Sequence, residues 1–191
     1  KSKPPYTKQT KIAKGKKMAQ SIIVAIIPIH NTVQVVIACV DSLQNQPRMG
    51  RVILVDNGPE QQTNELIKKL PGVEVYKNAG SEGFAKAVNR GVKRSDAPYV
   101  LILNSDTVAQ PNAIKALADN LDDPSVGVAG ALLIFPKGHP SAGMIQHAGL
   151  SIDADHIPKH PVMYWHPLNP AAQKRRSINA VTGAALATRR D

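Results

Sequence analysis

Val100-Leu101-Ile102-Leu103-Asn104-Ser105-Asp106-Thr107 is the stretch that decides the fold. Four consecutive aliphatic residues suit a strand buried on both faces, as in a parallel sheet covered by helices. The run stops at a cluster of small polar groups with one carboxylate. In open α/β sheets, ligands bind outside the carboxyl ends of the strands, which is where this cluster falls. A carboxylate beside amide and hydroxyl oxygens suits a hard divalent cation that also holds a phosphate. A second stretch has the same design: Arg51-Val52-Ile53-Leu54-Val55-Asp56-Asn57-Gly58.

Working outward, short apolar runs alternate with segments of helical period. Residues 22–27 read as a first strand that stops at Pro28. Val33, Val36, Ile37, Val40 and Leu43 then form one apolar stripe on a helix. After the strand at 52–55 comes a weaker helix with Leu66, Ile67 and Leu70, ended by Pro71-Gly72. A short strand covers 73–76, and Phe84, Ala87, Val88 and Val92 mark a helix starting near Glu82. The strand at 99–103 is followed by a stripe at Ile114, Leu117, Ala118 and Leu121, with Pro111 in the first turn. Residues 126–135 read as one further strand. Alternation at this spacing means βαβ units and a mostly parallel, doubly wound α/β sheet with helices on both faces. Residues 136–177 break the pattern, with six of the fifteen prolines and five of the six histidines. Long loops with a hairpin are expected there, before a last strand near 178–187 built on Val181, Ala185 and Ala187.

With 191 residues, 42% apolar and 20% charged, the chain suits one well-buried soluble domain. No apolar run approaches the roughly 18 residues of a spanning helix, and no signal-peptide core is present. Cys39 is the sole cysteine, so no disulfide framework or cysteine zinc site exists, and a cytoplasmic setting is expected. The net charge is +10, but residues 1–17 hold seven lysines and no acid, which leaves +3 for the other 174 residues. The basic character belongs to an arm, 1–20, whose composition argues for disorder. Such an arm reads as a solvated tail or, in the alternative, as a segment drawn to an anionic surface, which would make the protein peripheral at the inner membrane face; nothing in it points to specific nucleic-acid recognition. The remaining boundaries are an α/β part at 21–134 and a loop-rich part of the same domain at 135–191.

In a doubly wound sheet three polar strand ends converge: Pro28-Ile29-His30-Asn31, Asp56-Asn57-Gly58 and Asn104-Ser105-Asp106. Two carboxylates at separate ends can divide the work, one accepting from a base or ribose, the other holding a metal on a diphosphate. Helix N-termini after these strands add N–H donors for phosphate. The first strand is not followed by G-x-G-x-x-G, and the chain has no G-x-x-x-x-G-K-[ST] and no G-x-S-x-G. These absences argue against a dinucleotide dehydrogenase, a P-loop NTPase and a hydrolase elbow.

The ordered motifs SIIVAIIPIHN (21–31), VILVDNG (52–58), GSEGFAKAVNRG (80–91) and LILNSDTVAQP (101–111) resemble those of the family 2 glycosyltransferases, and IQHAGL (145–150) and VTGAALATRR (181–190) fit downstream. These are inverting enzymes of the GT-A fold that use nucleotide-diphosphate sugars. The LNSDT and HAG variants look most like bacterial rhamnosyltransferase-type members that build surface polysaccharides. The resemblance implies that Pro28, His30 and Asn31 line the nucleobase pocket and that Asp56 binds the base or its ribose. It implies close backbone approach at Gly83, with Lys86 and Asn89 near the diphosphate or sugar. Asp106 becomes the last carboxylate of D-x-D and the ligand of Mg²⁺ or Mn²⁺, flanked by Asn104 and Ser105, and Gly183 lies near donor sugar and acceptor. The implied partners are a dTDP, UDP or GDP sugar and a glycan or lipid-linked acceptor.

Three positions depart from the pattern: Asn104 replaces the first Asp of D-x-D, His30 stands where an aromatic is usual, and Ser81 where Asn is common. The family's general base lies in a G-G-F-D-E-like segment, expected after Asp191, so the chain reads as truncated before it. A catalytically incomplete nucleotide-sugar-binding module is the alternative reading. Asp153-Ala154-Asp155 is a second D-x-D by letter, but its setting favours a hairpin turn. The spacing of His156, His160 and His166 fits no helix face for a zinc site. His147 reads either as a donor or acceptor contact or as a hydrogen-bonded structural residue. Cys39 reads as a small core residue, and Tyr164 and Trp165 either stack on a sugar or pin their loop.

Overall fold

Strict alternation along the first strand sends its odd-numbered residues to one face of a sheet and its even-numbered ones to the other. The computed structural model describes residues 22–30, 33–57, 65–78, 80 and 82–190. The arm at 1–20, Asn31, Gly58 and Ser81 lie outside the described residues. The elements run β1 (Ile23–Ile29), α1 (Val33–Leu43), β2 (Met49–Asp56), α2 (Glu65–Lys68), β3 (Val73–Lys77), α3 (Phe84–Arg94), β4 (Tyr99–Leu103), α4 (Ala113–Leu121) and β5 (Val128–Gly130). They continue with β6 (Leu133–Ile134), β7 (Ile145–His147), β8 (Ser151–Ile152), β9 (Pro158–Lys159), α5 (Pro170–Gln173) and β10 (Ala185–Arg189).

The main sheet has the order β3-β2-β1-β4-β10-β5. β3, β2, β1 and β4 are mutually parallel, while β10 runs antiparallel to both β4 and β5. On one face Ile23, Ala25, Ile27 and Ile29 pack with Val36, Val40 and Leu43 of α1 and with Ile114, Leu117, Ala118 and Leu121 of α4. On the other, Val24, Ile26, Ile53, Val55 and Val100 pack with Ala87 of α3, and Val92 joins them. The sheet is therefore covered on both sides, as the continuous apolar runs require. α3 lies close: a Cβ on Gly91 would stand 2.3 Å from Ile26 Cγ2, so only glycine lets helix and sheet meet at this height.

Four expectations need correction. β1 does not stop at Pro28 but runs through it to Ile29, with Pro28 paired to Val55. Residues 126–135 form two short strands in different sheets, β5 in the main sheet and β6 pairing with β7. Pro111 lies in the turn before α4, whose N-cap is Asn112 at φ 63, so it is outside the first helical turn. The last strand is β10, beginning at Ala185, and Val181 lies before it in a turn-rich segment. The expected hairpin is β8–β9, with Asp153 in its turn accepting N–H bonds from Asp155 and Ile157 at 3.1 and 3.0 Å. Among the described residues no helix is long and apolar enough to cross a membrane.

The loop into β2 is fixed by Arg48 at φ 69. Its guanidinium side chain, 2% exposed, donates to both carboxylate oxygens of Asp122 at 2.6 and 2.9 Å and to Asp119 at 2.8 Å. It also lies 5.8 Å from the Tyr99 ring centroid, so the start of β2, the end of α4 and the start of β4 are tied at one point.

Candidate functional site

The chain reverses its order across the sheet between β1 and β4, and the polar strand ends gather at that switch point. Register fixes their relative heights. Ile29 is level with Asp56, and Ile26 with Ile102, so by continuation Pro28 is level with Asn104. The tips of β2 and β4 flank β1, two strand spacings or about 10 Å apart. Pro28, His30, Asp56, Asn104, Ser105 and Asp106 are thus brought to one edge. Asp56 is 4% exposed at the end of β2, whereas His30 and Asp106 are exposed.

The tip of β4 is held from three sides. Its Asn104 N–H donates to Ala184 C=O at 2.9 Å, in the turn before β10. Beneath it, the Cys39 thiol of α1 donates to Asn104 C=O at 3.7 Å. Burial, with the Asp106 charge adding to it and the Thr107 backbone N–H opposing, pushes that thiol up to about 12. Cys39 therefore stays neutral and structural. Ser42, one turn on, accepts the Ala109 N–H at 2.9 Å, and Gln46 donates to Gln110 C=O at 2.9 Å. The loop after Asp106 is in this way sewn to α1.

The other wall is the start of α3. Gly83 caps this helix at φ 80 and ψ 164, a region open essentially to glycine alone, and a Cβ there would meet nothing within 4 Å. Gly83 and Lys86 are exposed, and the first turn carries no acid, so unpaired N–H groups and a lysine share this end. Asn89 is exposed on the same helix. Gly183 lies against the Phe84 ring, 3.6 Å from an added Cβ, which brings the turn at 181–184 to the same wall.

A network that the sequence reading did not single out fixes this wall to the sheet. Asn57, 6% exposed, accepts at Oδ1 from Asn78 Nδ2 and from the Glu82 N–H, both at 3.0 Å. Arg90 donates to Asn78 Oδ1 at 3.1 Å and to Glu82 Oε1 at 2.7 Å. His30 Nδ1 lies 3.2 Å from Asn57 C=O. The available signal was the Asn57 amide directly after Asp56, a strand-end residue whose side chain must find partners once buried.

The family model described as Glycosyl transferase family 2 matches residues 24–189. The chain belongs to that family. Among curated relatives, the O-antigen biosynthesis protein RfbC of Myxococcus xanthus is 27% identical over 179 residues, 87% of this chain and 14% of RfbC. The chain spans 14% to 37% of the length of the curated relatives it matches. Two solved structures share its fold. One is the mannosyltransferase PcManGT from Pyrobaculum calidifontis in complex with GDP-Man and Mn²⁺ (TM-score 0.53, 19% identity, 63% of this chain and 38% of that one). The other is S. aureus TarS 1–349 in complex with UDP (TM-score 0.54, 21% identity, 62% and 37%). The family 2 domain is thus a mostly parallel α/β sheet of GT-A type, with its polar strand ends at one switch point.

Proposed function

We propose that this domain binds a nucleotide-diphosphate sugar, and that the whole protein transfers the sugar with inversion to a glycan or lipid-linked acceptor of a surface polysaccharide. The observation that carries the reading is the gathering of His30, Asp56 and Asn104-Ser105-Asp106 at the β1/β4 switch point, opposite the open N-terminus of α3. In this reading Pro28, His30 and Asn31 line the base, and Asp56 accepts from the base or ribose. The α3 N-terminus, Gly83, Lys86 and Asn89 receive the diphosphate and sugar, and Gly183 borders sugar and acceptor.

Asp106 would hold the divalent cation. Its exposed carboxylate, beside the oxygen-bearing Asn104 and Ser105, offers hard oxygen donors of the kind Mg²⁺ and Mn²⁺ accept. Among the described residues no three His, Cys, Asp or Glu side chains form a metal-binding group, and Asp106 alone would supply the carboxylate. Such a cation would supply positive charge against the diphosphate as it departs. The acceptor oxygen bonds to the anomeric carbon as the bond from that carbon to the phosphate oxygen breaks, and the acceptor proton passes to a base. We assign that base to no described residue.

Calorimetry with UDP, dTDP and GDP sugars, with Mg²⁺ or Mn²⁺, tests the reading; absence of binding to all three would refute it. Asp56→Ala and Asp106→Ala should each abolish binding, and wild-type behaviour in both would overturn the site. One observation favours a second reading, a donor-binding module without turnover: Asn104 stands where D-x-D has its first carboxylate. Donor binding without product in the full-length protein would support it. The seven lysines of residues 1–17 place the protein peripherally on an anionic inner membrane face in this proposal. Vesicle binding should then fall with salt and vanish when they are deleted.

A further inference from the structure

The turn at 181–184 sets the height of the β4 tip, since Ala184 C=O accepts the Asn104 N–H. Within the turn, Thr182 Oγ1 accepts the Ala184 N–H at 3.2 Å. The turn is held from behind by His147, which ends β7 and is 4% exposed. Its Nε2 faces the Thr182 N–H at 3.1 Å, and its Nδ1 lies 3.3 Å from Nδ1 of His160, the two rings edge to face at 76°. A peptide N–H can only donate, so Nε2 must present its lone pair. The neutral His147 ring then carries its proton on Nδ1 and donates it to His160. The same strand region draws the preceding segment in: Leu150 pairs with Ala180, and Gly149 at φ 100 leaves room for Ile178, whose Cδ1 would stand 2.1 Å from a Cβ.

We propose that His147 is a positioning residue of the donor site: its Nδ1–H tautomer, fixed by His160, seats the 181–184 turn against the Asn104-Ser105-Asp106 tip and the start of α3. The inference rests on the donor-binding reading above. It makes the seat sensitive to acid, because protonating Nε2 would set two N–H donors face to face. Burial and then the charge of His160 hold His147 below the usual histidine range. A group shifted this way contributes fully above about pH 6.5 and loses its contribution as pH falls through its folded value. Other charges on the surrounding elements are engaged elsewhere or exposed. Lys159 pairs with Asp153 at 2.6 Å, His139 stacks on Phe135, and Asp155 and His156 are exposed.

The test is calorimetric titration with UDP, dTDP and GDP sugars from about pH 8 to about pH 5, alongside imidazole ¹⁵N shifts and the Thr182 amide shift. Wild-type affinity should fall about tenfold over that range, the loss of one buried hydrogen bond. His147→Gln, whose amide oxygen can take the place of Nε2 and does not titrate, should bind like wild type at the upper end and show a flat profile. His147→Leu should bind about tenfold more weakly at the upper end. A glutamine variant that keeps the acid-dependent fall, a leucine variant that binds like wild type, or a ring protonated on Nε2 at neutral pH would overturn the proposal. If no sugar nucleotide binds while the Thr182 amide still follows His147, the donor reading fails and the seating of the turn stands. Circular dichroism separates either result from simple unfolding.

Discussion

Replacing Gly91 by alanine sets two effects of known sign against each other. In a helix interior alanine is favoured over glycine by about 1 kcal/mol. Here the new Cβ would stand 2.3 Å from Ile26 Cγ2 and 3.1 Å from Val55 Cγ2, where ordinary contact begins near 3.4 Å. Ile26 and Val55 are both fully buried on central strands, and a β-branched side chain has few rotamers to move into. The helix must therefore rise by about 1 Å, and overpacking of this kind costs about 1–3 kcal/mol. With both contacts made to fully buried side chains the clash wins, and Gly91→Ala should lower stability by up to about 2 kcal/mol in urea unfolding followed by circular dichroism. The decisive control is the same substitution in an Ile26→Ala background, where the nearest clashing methyl is gone. There it should be neutral or stabilising, a coupling of about 2 kcal/mol. Additivity within about 0.5 kcal/mol would refute the reasoning, because the penalty would then not arise from the helix–strand contact.

Gly83→Ala should cost about 1–3 kcal/mol or displace the start of α3, since the cost lies in the backbone and not in space; weaker sugar-nucleotide binding by calorimetry would register the displacement. Arg48→Met should lower stability by about 1–3 kcal/mol in chemical unfolding, and Arg48→Lys should recover less than half, because an ammonium lacks the planar fork that meets Asp122 with two parallel bonds while also reaching Asp119. Asp123 is held at about 2 by the Ser125 hydroxyl and backbone N–H and by Arg175. Its contribution should therefore be present above about pH 4 and be lost as pH falls toward its folded value. In acid unfolding Asp123→Asn should flatten that limb, and an unchanged slope would contradict the assignment.

The fold was legible where one residue type answered to one environment. The run 100–103 is buried on both faces, so it carries no alternation and reads as a central parallel strand. Val36, Val40 and Leu43 face one layer, so they repeat at helical spacing. Residues 126–135 read as one strand because nothing apolar interrupts them; only the pairing of β5 with a strand 55 residues later and of β6 with β7 divides them. The strand-end groups were legible for the same reason as the strands, as abrupt changes of polarity. The Asn57–Asn78–Glu82–Arg90 network was not, because hydrogen bonds between residues 8 to 25 positions apart leave no periodic mark. His147 likewise shows its tautomer only once Thr182, 35 residues on, is seen to donate to it.

β10 enters the sheet between β4 and β5, and this has a consequence for how the chain is made. The parallel core β3-β2-β1-β4 contains only residues up to Leu103, so it can assemble while later residues are still being synthesised. β5 must wait for β10, and the acceptor for the Asn104 N–H lies at Ala184. The tip is therefore among the last parts of the domain to set. A nascent chain arrested before residue 184 would carry the parallel core with an unfinished β4 tip, and the Asn104 amide would report the arrival of β10 more faithfully than secondary structure does.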